Sequence, residues 1–489
     1  MSLTRKIAYN TVIQIVGKTI TTVLSLFLVA ALTRYLGVSG YGEYTTIFAY
    51  LAFFGVLADF GFFWILVREI SNPKTDIDHA TSNILTLRTV LGIVVYGAAY
   101  IISYLIPQYS ALRAGIGIAA FSTLFLALNS TYVAVFQNKL RMDKAALTDV
   151  IGRAIILSLT LYLIHISSSL SLILWAYAVG NIVNLSASGW LGREYVKIRP
   201  AFDFGYWKEI FIQTLPMAVV LVLGLVYFRV DTFMLSLMRS STDVGIYGPP
   251  YKVLEMILLL PAMFMGNVFP VVTRYIYTAD ERVHAALQKS FEFLLLLAVP
   301  VALIIIYDAS PIIKIVAGYA FVVAHTIPPV FGVPATSVLA LQILIVAACF
   351  SFISIIFGNL VMALGKQAKL IWPNVIFVFF NIGSNLIAIK YYSYIGAAAT
   401  TVLTEFLVLV FTWWVASRYF TLKLNLKIVW KVVLAGLVMG LAYHFGYNYI
   451  NWILLTVIAS TLYLIVLWLT GGIDVGMVKI IISKTEVES

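Results

Sequence analysis

Long apolar stretches alternate with short polar segments along the whole chain. Crossing a hydrocarbon core takes about 20 mostly apolar residues, and irregular backbone cannot face lipid. The pattern predicts six spans in the first half and eight in the second: 9–32, 44–66, 83–106, 114–136, 147–166, 170–190, 210–237, 249–271, 288–307, 339–364, 370–389, 395–417, 428–446 and 450–469. The predicted fold class is an all-α polytopic membrane protein with about fourteen transmembrane helices.

The spans group into two lobes of six helices. The predicted parts are an N-terminal lobe (1–190), a cytoplasmic linker (191–209), a C-terminal lobe (210–420), and two extra helices with a short tail (421–489). A shift of 206 residues places Tyr41 on Tyr247 and Arg68 on Arg274, which predicts duplication of a six-helix unit. Such units point the same way, like the parallel repeats of transporters that hold substrate between two lobes. The proline-rich external segment 308–336 is too broken for a plain helix, and a partly re-entrant cap is one interpretation.

Positive charge is distributed unevenly between alternate loops. With the N-terminus inside, 23 of the 32 Lys and Arg residues fall on the same side as that terminus, five fall on the opposite side and four lie within spans. Arg88, close to the predicted start of the third span, is one of the 23. Because cytoplasmic loops retain Lys and Arg, the count predicts a multi-pass protein of the cytoplasmic membrane with both termini in the cytoplasm.

Composition excludes several other classes of protein. Charged residues are only 11% of the chain and apolar residues are 62%, against about 25% charged residues in soluble domains. The net charge of +11 is spread over helix ends rather than one exposed face, so nucleic acid is not an expected partner. No P-loop, metal motif or cysteine pair is present, and we expect no cofactor. The energy source is then a H⁺ or Na⁺ gradient, the membrane potential or consumption of the product.

Four charged residues lie within the seventh and eighth spans. Arg229 and Asp231 are two residues apart on helix seven, and Lys252 and Glu255 share one face of helix eight at a similar depth. A charge at mid-bilayer costs about 2.5–3.5 kcal/mol, so these side chains should face a lumen or one another. In a functional interpretation Arg229 and Lys252 bind a pyrophosphate headgroup, and Asp231 and Glu255 carry a coupling cation or proton. The alternative is a neutralised cluster that locks the two helices together.

The first lobe contains further intramembrane charges. Lys18 and Asp59 both lie in the inner half of the membrane, and a pair between them would gate the cytoplasmic side. Lys18 is also a headgroup candidate, while the simpler alternative is an ammonium that extends to the inner lipid headgroups. Arg153 and Asp149 are four residues apart on helix five, which favours an ion pair on the helix surface.

Three polar residues stand out in the second lobe. Glu405 is a lone acid near the middle of helix twelve and is a candidate for ion coupling or gating. Asn381 and Asn385 share one face of the eleventh predicted span (370–389). Amides inside membranes usually join helices by hydrogen bonds, so packing is the first interpretation and contact with a sugar is the second.

Five segments, in their order along the spans, resemble a known family. They are LTRYLGVSGYGEY (32–44), ADFGFFWILVREI (58–70), YFRVDTFML (227–235), GIYGPPYKVLEMILLLP (245–261) and the segment 362–405, which begins MALGKQAKL. The chain resembles polysaccharide (O-antigen type) flippases of the multidrug/oligosaccharidyl-lipid/polysaccharide exporter superfamily. The resemblance implies two lobes arranged in a V. It also implies alternating access that moves a lipid-linked oligosaccharide across the membrane for synthesis of cell-surface polysaccharide or glycoconjugates.

The resemblance also defines the expected partners and the alternatives. The partners are the polyprenyl-(pyro)phosphate oligosaccharide, membrane lipids and other polysaccharide-assembly proteins. A cation-coupled multidrug exporter of the same superfamily is the main alternative. A membrane glycosyltransferase or polymerase would need catalytic acids in an external loop, and the longest such loop, 308–338, contains only Asp308. We therefore expect a protein that is not an enzyme.

Overall fold

The structure is a computed structural model that describes residues 3–422 and 424–472, so the predicted tail beyond Gly472 lies outside the described residues. Within these ranges the chain is almost entirely helical. The helices are α1 (Leu3–Asp59), α2 (Phe62–Ser71), α3 (Ile77–Ile102), α4 (Arg113–Asn138), α5 (Met142–His165), α6 (Leu170–Gly192), α7 (Phe204–Met238), α8 (Ser241–Tyr277), α9 (Arg282–Val316), α10 (Tyr319–Val323), α11 (Ser337–Ala363), α12 (Ala368–Tyr419), α13 (Lys427–Gly446) and α14 (Trp452–Leu469).

Twelve helical segments in the described ranges are long and apolar enough to cross a membrane. Two of them, Ile13–Ser71 and Ala368–Tyr419, contain 59 and 52 residues, about twice the length that one crossing needs. Helices α1 and α12 each contain one break, at Gly37 (φ 66°, ψ −172°) and at Ser393 (φ 49°, ψ −131°), and a further turn at Phe60 and Gly61 separates α1 from α2. Divided at these turns, the segments give fourteen crossings, and the predicted fold class is confirmed.

By residue contacts the helices form two compact units. Unit 1 contains Met1–Gly248 and Val316–Ala320, and unit 2 contains Pro249–Ile315 and Phe321–Ser489. The predicted parts, with their boundary at 191–209, stay a prediction. By packing, α7 and the start of α8 belong with the first six helices. In unit 1, α2, α3 and α4 enclose a core around Phe62, Leu66 and Val135. In unit 2, the extra helices α13 and α14 pack with α9 and α11, and the hydroxyl of Tyr463 donates to the carbonyl of Leu296 (3.0 Å).

The segment between α6 and α7 is bound along the first turns of α3. The backbone amides of Lys197, Arg199 and Asp203 donate to side chains of α3, at 2.9, 3.1 and 2.9 Å. The carboxylate of Asp203 then caps α7 by accepting from the amide of Tyr206 (3.0 Å). Backbone groups that no helix satisfies are therefore bonded by polar side chains of α3, and the predicted linker is a fixed part of unit 1.

The proline-rich segment differs from its prediction at the beginning. Helix α9 continues to Val316, so Asp308 lies inside a helix, at a residue with non-helical backbone angles (φ −101°, ψ 17°). The rest contains the short helix α10 and a bridge between Val330 and Val333.

The first turns of α8 cross the second half of α1 at very short range, within unit 1. A Cβ atom added to Gly42 would lie 1.7 Å from the carbonyl oxygen of Ser241, and one added to Gly245 would lie 1.9 Å from that of Val38. Side chains never approach this closely, so only glycine fits at either position. The two glycines therefore allow the backbones of α1 and α8 to pack in direct contact within unit 1.

Candidate functional site

Two arginines and two tyrosines converge inside unit 1. The hydroxyls of Tyr44 on α1 and Tyr177 on α6 are hydrogen bonded at 2.8 Å. The guanidinium groups of Arg153 on α5 and Arg229 on α7 both lie close enough to the half-buried Tyr44 side chain to act on its hydroxyl electrostatically. Four helices thus contribute to what we call the arginine–tyrosine cluster. Arg229 was a predicted headgroup residue, whereas Arg153 was predicted to form only a surface ion pair.

Arg153 has weak links to its neighbours. Its guanidinium lies 3.6 Å from the carboxylate of Asp149 and 3.4 Å from the hydroxyl of Ser25. The 3.6 Å separation from Asp149 is longer than a hydrogen bond, and both side chains are about two-fifths exposed (39%), so the Arg153 guanidinium keeps donors with which it can bind an anion.

The predicted four-residue network is divided between the two units. Arg229 and Asp231 belong to unit 1, where Asp231 is buried. Lys252 and Glu255 belong to unit 2 and form an ion pair at 3.0 Å. The pairing on helix eight follows the predicted geometry, and a network that joins all four residues stays a prediction.

The predicted gate between Lys18 and Asp59 stays a prediction, and in this structure Asp59 has a different partner. Asp59 instead accepts from the guanidinium of Arg88 on α3 at 2.6 Å, and Arg88 is fully buried. Arg88 also donates to the hydroxyls of Ser130 (2.5 Å) and Thr131 (2.8 Å) on α4. Arg88 was counted among the cytoplasmic residues because the third span was predicted to begin at residue 83. The helix begins six residues earlier, which places Arg88 three turns inside it.

Lys18 lies elsewhere in unit 1. It lines a cavity of about 490 Å³ between α1, α4, α5 and α6, together with Asn129, Asp149 and Asn184.

The polar candidates of unit 2 are bonded within the protein. The buried carboxylate of Glu405 accepts a short hydrogen bond from the hydroxyl of Ser351 on α11. The Asn385 amide donates to the Asn381 oxygen (2.8 Å), the Asn381 amide donates to the Thr404 hydroxyl (3.1 Å), and the Asn385 oxygen accepts from the Thr400 hydroxyl (2.7 Å). This ladder joins the two halves of α12, which favours packing over contact with a sugar.

Asp308 is a residue whose role the sequence did not indicate. It is fully buried, and one of its carboxylate oxygens accepts from the hydroxyls of Tyr443 on α13 and Thr456 on α14, both at 2.7 Å. The contacts join α9 to both extra helices. As for metals, the part of the chain that the structure describes contains no group of three or more His, Cys, Asp or Glu residues that could hold one.

Fourteen apolar crossings with charged side chains held inside them define a polytopic α-helical membrane protein. Residues 7–276, more than half of the chain, match the family described as polysaccharide biosynthesis protein, and the chain belongs to that family. It is 21% identical over 370 residues to a candidate O-antigen transporter of Shigella flexneri, which covers 73% of this chain and 85% of that protein.

Solved structures show the same fold. A lipid II flippase, MurJ, in an inward closed conformation superposes with a TM-score of 0.71 at 17% identity, covering 92% of this chain and 97% of that chain. An inward-facing multidrug resistance transporter of the MATE family superposes with a TM-score of 0.64 at 13% identity, covering 83% of this chain and 97% of that chain. At these identities the likeness establishes the fold alone, so the choice between a glycan and a drug as substrate depends on the site and the family.

Proposed function

We propose that the protein is a flippase that carries a polyprenyl-(pyro)phosphate oligosaccharide from the cytoplasmic to the outer leaflet by alternating access, without catalysing a reaction. The observation that carries the proposal is the arginine–tyrosine cluster, in which Arg153 and Arg229 both lie near Tyr44. Guanidinium groups bind phosphate oxygens with paired hydrogen bonds, and they do so most strongly where water is excluded. Membership of a polysaccharide biosynthesis family supports a glycan as the attached cargo.

The mechanism avoids moving a glycan through hydrocarbon. The lipid tail stays in the bilayer while the headgroup and sugars pass through a protein interior with polar side chains, which lowers the cost of desolvating hydroxyl groups. The carrier lipid is undecaprenyl or dolichyl phosphate or pyrophosphate. Lys252 is the headgroup candidate of unit 2, and the basic helix ends at 139–144 and 193–199 lie on the cytoplasmic side with both termini.

Coupling to an H⁺ or Na⁺ gradient involves the acids Asp231, Glu255 and Glu405. Asp59 is a weaker candidate, because binding a cation would compete with the buried guanidinium of Arg88. A cation-coupled drug exporter is the second function that the fold supports. Two arginines in one cluster oppose it, since they would repel an organic cation.

Scrambling of a fluorescent polyprenyl-pyrophosphate oligosaccharide in proteoliposomes tests the proposal. We expect Arg153→Ala and Arg229→Ala each to lower the flipping rate at least tenfold, and Lys252→Ala to lower it as well. Arg282→Ala is the matched control, because Arg282 is 73% exposed at the start of α9 and pairs with Asp280. Rates that stay at the wild-type value in both arginine variants would remove the headgroup site. A wild type that moves no lipid would refute the flippase itself.

A further inference from the structure

The cavity of about 490 Å³ in unit 1, which we call the amide pocket, adjoins the arginine–tyrosine cluster, but none of the four cluster residues lines it. Polar side chains reach it from four helices: Gln14 and Lys18 from α1, Asn129 and Ser130 from α4, Asp149 from α5 and Asn184 from α6. Its volume lies within the range of about 300–1,000 Å³ that is typical of small-molecule sites.

Two buried amides in this pocket lack hydrogen bonds to the protein. Asn129 is 6% exposed and Asn184 is 4% exposed, and the side-chain oxygen of each has no protein partner. Buried polar atoms are bonded in about nine cases out of ten, so two exceptions in one pocket need an explanation. Asn181, one turn away on α6, shows the usual arrangement, because its amide donates to the hydroxyl (3.0 Å) and carbonyl (3.2 Å) of Ser122. Because both side chains line the pocket, rotation of either amide would bring its oxygen to a ligand there.

The charges of the pocket indicate what kind of ligand would donate those bonds. Lys18 forms no ion pair within the described ranges, while Asp149 pairs with Arg153. One ammonium group is a weak match for a pyrophosphate, and it opposes an organic cation. A sugar hydroxyl suits the polar groups of the lining, because it donates to an amide oxygen and accepts from an ammonium. The lining therefore fits neutral polyhydroxyl groups.

The pocket also lies at a suitable distance from the proposed headgroup site. On α1, Lys18 lines the pocket and Ser25 contacts Arg153, which gives a separation of about 10 Å along the helix axis. On α5, Asp149 and Arg153 are one turn apart. Sugars attached to a pyrophosphate at the arginine–tyrosine cluster would extend into the amide pocket.

We propose that the amide pocket is a subsite for the glycan, in which Asn129, Asn184 and Lys18 bind hydroxyl groups of the sugars nearest the pyrophosphate. The proposal rests on the proposed flippase function and adds a site that selects for the sugar. Transport of the bare carrier should then be independent of the pocket.

The test compares two substrates in the same proteoliposomes: a polyprenyl-pyrophosphate oligosaccharide and the sugar-free polyprenyl pyrophosphate. We expect Asn129→Ala/Asn184→Ala to raise the half-saturating concentration for the oligosaccharide about tenfold, as the loss of two hydrogen bonds implies, and to leave that of the bare carrier unchanged. Lys18→Met should give the same selective change.

Stability provides an independent readout. Because the two pocket amides have unbonded oxygens, Asn129→Ala/Asn184→Ala should retain the wild-type melting temperature, whereas Asn181→Ala should lower it and affect both substrates alike. Equal changes for both substrates in the double variant, or no change for either, would overturn the pocket proposal while leaving the flippase intact. A wild type that flips neither substrate would instead overturn the proposed function.

Discussion

The pair between Asp59 and Arg88 gives the sharpest stability prediction. Arg88 is fully buried, and among the residues that the structure describes its single charged partner within hydrogen-bonding distance is Asp59 at 2.6 Å, whereas Asp59 is 30% exposed. Replacing Asp59 with Asn retains an oxygen acceptor but removes the negative charge. The guanidinium would then remain charged in the interior with only the neutral acceptors Ser130, Thr131 and Ala127.

Removing one partner of a buried pair costs about 3–5 kcal/mol, and the partial exposure of Asp59 favours the lower end, about 3 kcal/mol. Arg88→Met should cost less, because the remaining carboxylate can reach water. The double variant should be more stable than the sum of the two single changes predicts, by about 1–3 kcal/mol. The assay is the half-life of monodisperse protein in detergent at a fixed temperature, which is valid for irreversible unfolding. Additive losses would refute an energetic coupling between Asp59 and Arg88.

Three further predictions concern packing and pH. Gly42→Ala should destabilise the protein by about 1–3 kcal/mol or more, because the new methyl group would collide with the backbone of α8. The control is Gly97→Ala on α3, which has no atom within 4 Å of the added methyl group and should be neutral or stabilising. Equal melting temperatures of the two variants would contradict the close crossing of α1 and α8. Asn385→Ala should cost about 1–3 kcal/mol by leaving buried partners unbonded, and an unchanged melting temperature would argue against the ladder. The backbone amide of Tyr206 holds the pKa of Asp203 below its ordinary value of 3.8, so the capping interaction stabilises α7 above pH 3.8 and is lost as the pH falls through the lowered pKa. Hydrogen exchange of residues 193–206 should therefore become faster at that acidic pH. If Asp203→Asn shows the same acid response, protonation of Asp203 is not its cause.

Hydropathy predicted every crossing because the requirement is local. Each span must supply its own apolar residues and bond its own backbone, and both demands can be seen in about 20 consecutive residues. Helix ends were less predictable, because α8 extends beyond its predicted span of 249–271 at both ends, to Ser241 and Tyr277. Hydropathy is insensitive to helical turns that continue past the hydrocarbon.

The position of Arg88 shows how an error at a helix end affects a predicted site. A capping signal was present in the sequence: the side chain of Asp76 accepts from the amides of Asp78 and His79, which fixes the start of α3 at Ile77. That start places Arg88 three turns inside the helix rather than near its end. The ion-pair partner of Arg88 had no comparable signal in the sequence, because Asp59 lies 29 residues away and only tertiary packing brings the two together.

The convergence of Arg153 with Arg229 was likewise beyond the sequence. Helical periodicity explains the pairing of Arg153 with Asp149, four residues away on the same helix, but gives no information on which residues of α1, α6 and α7 face α5. The unbonded oxygens of Asn129 and Asn184 are also a property of packing, since every asparagine looks alike in the sequence. Local chemistry was predictable, and contacts between helices were not.

The most direct test of the central claim measures two cargoes with one preparation. Purified wild-type protein is reconstituted into liposomes with a fluorescent polyprenyl-pyrophosphate oligosaccharide, and export of a cationic dye is followed in parallel under an H⁺ or Na⁺ gradient. The account predicts movement of the lipid-linked oligosaccharide between leaflets and no export of the dye. Gradient-driven export of the dye without movement of the lipid would contradict it and identify a drug exporter.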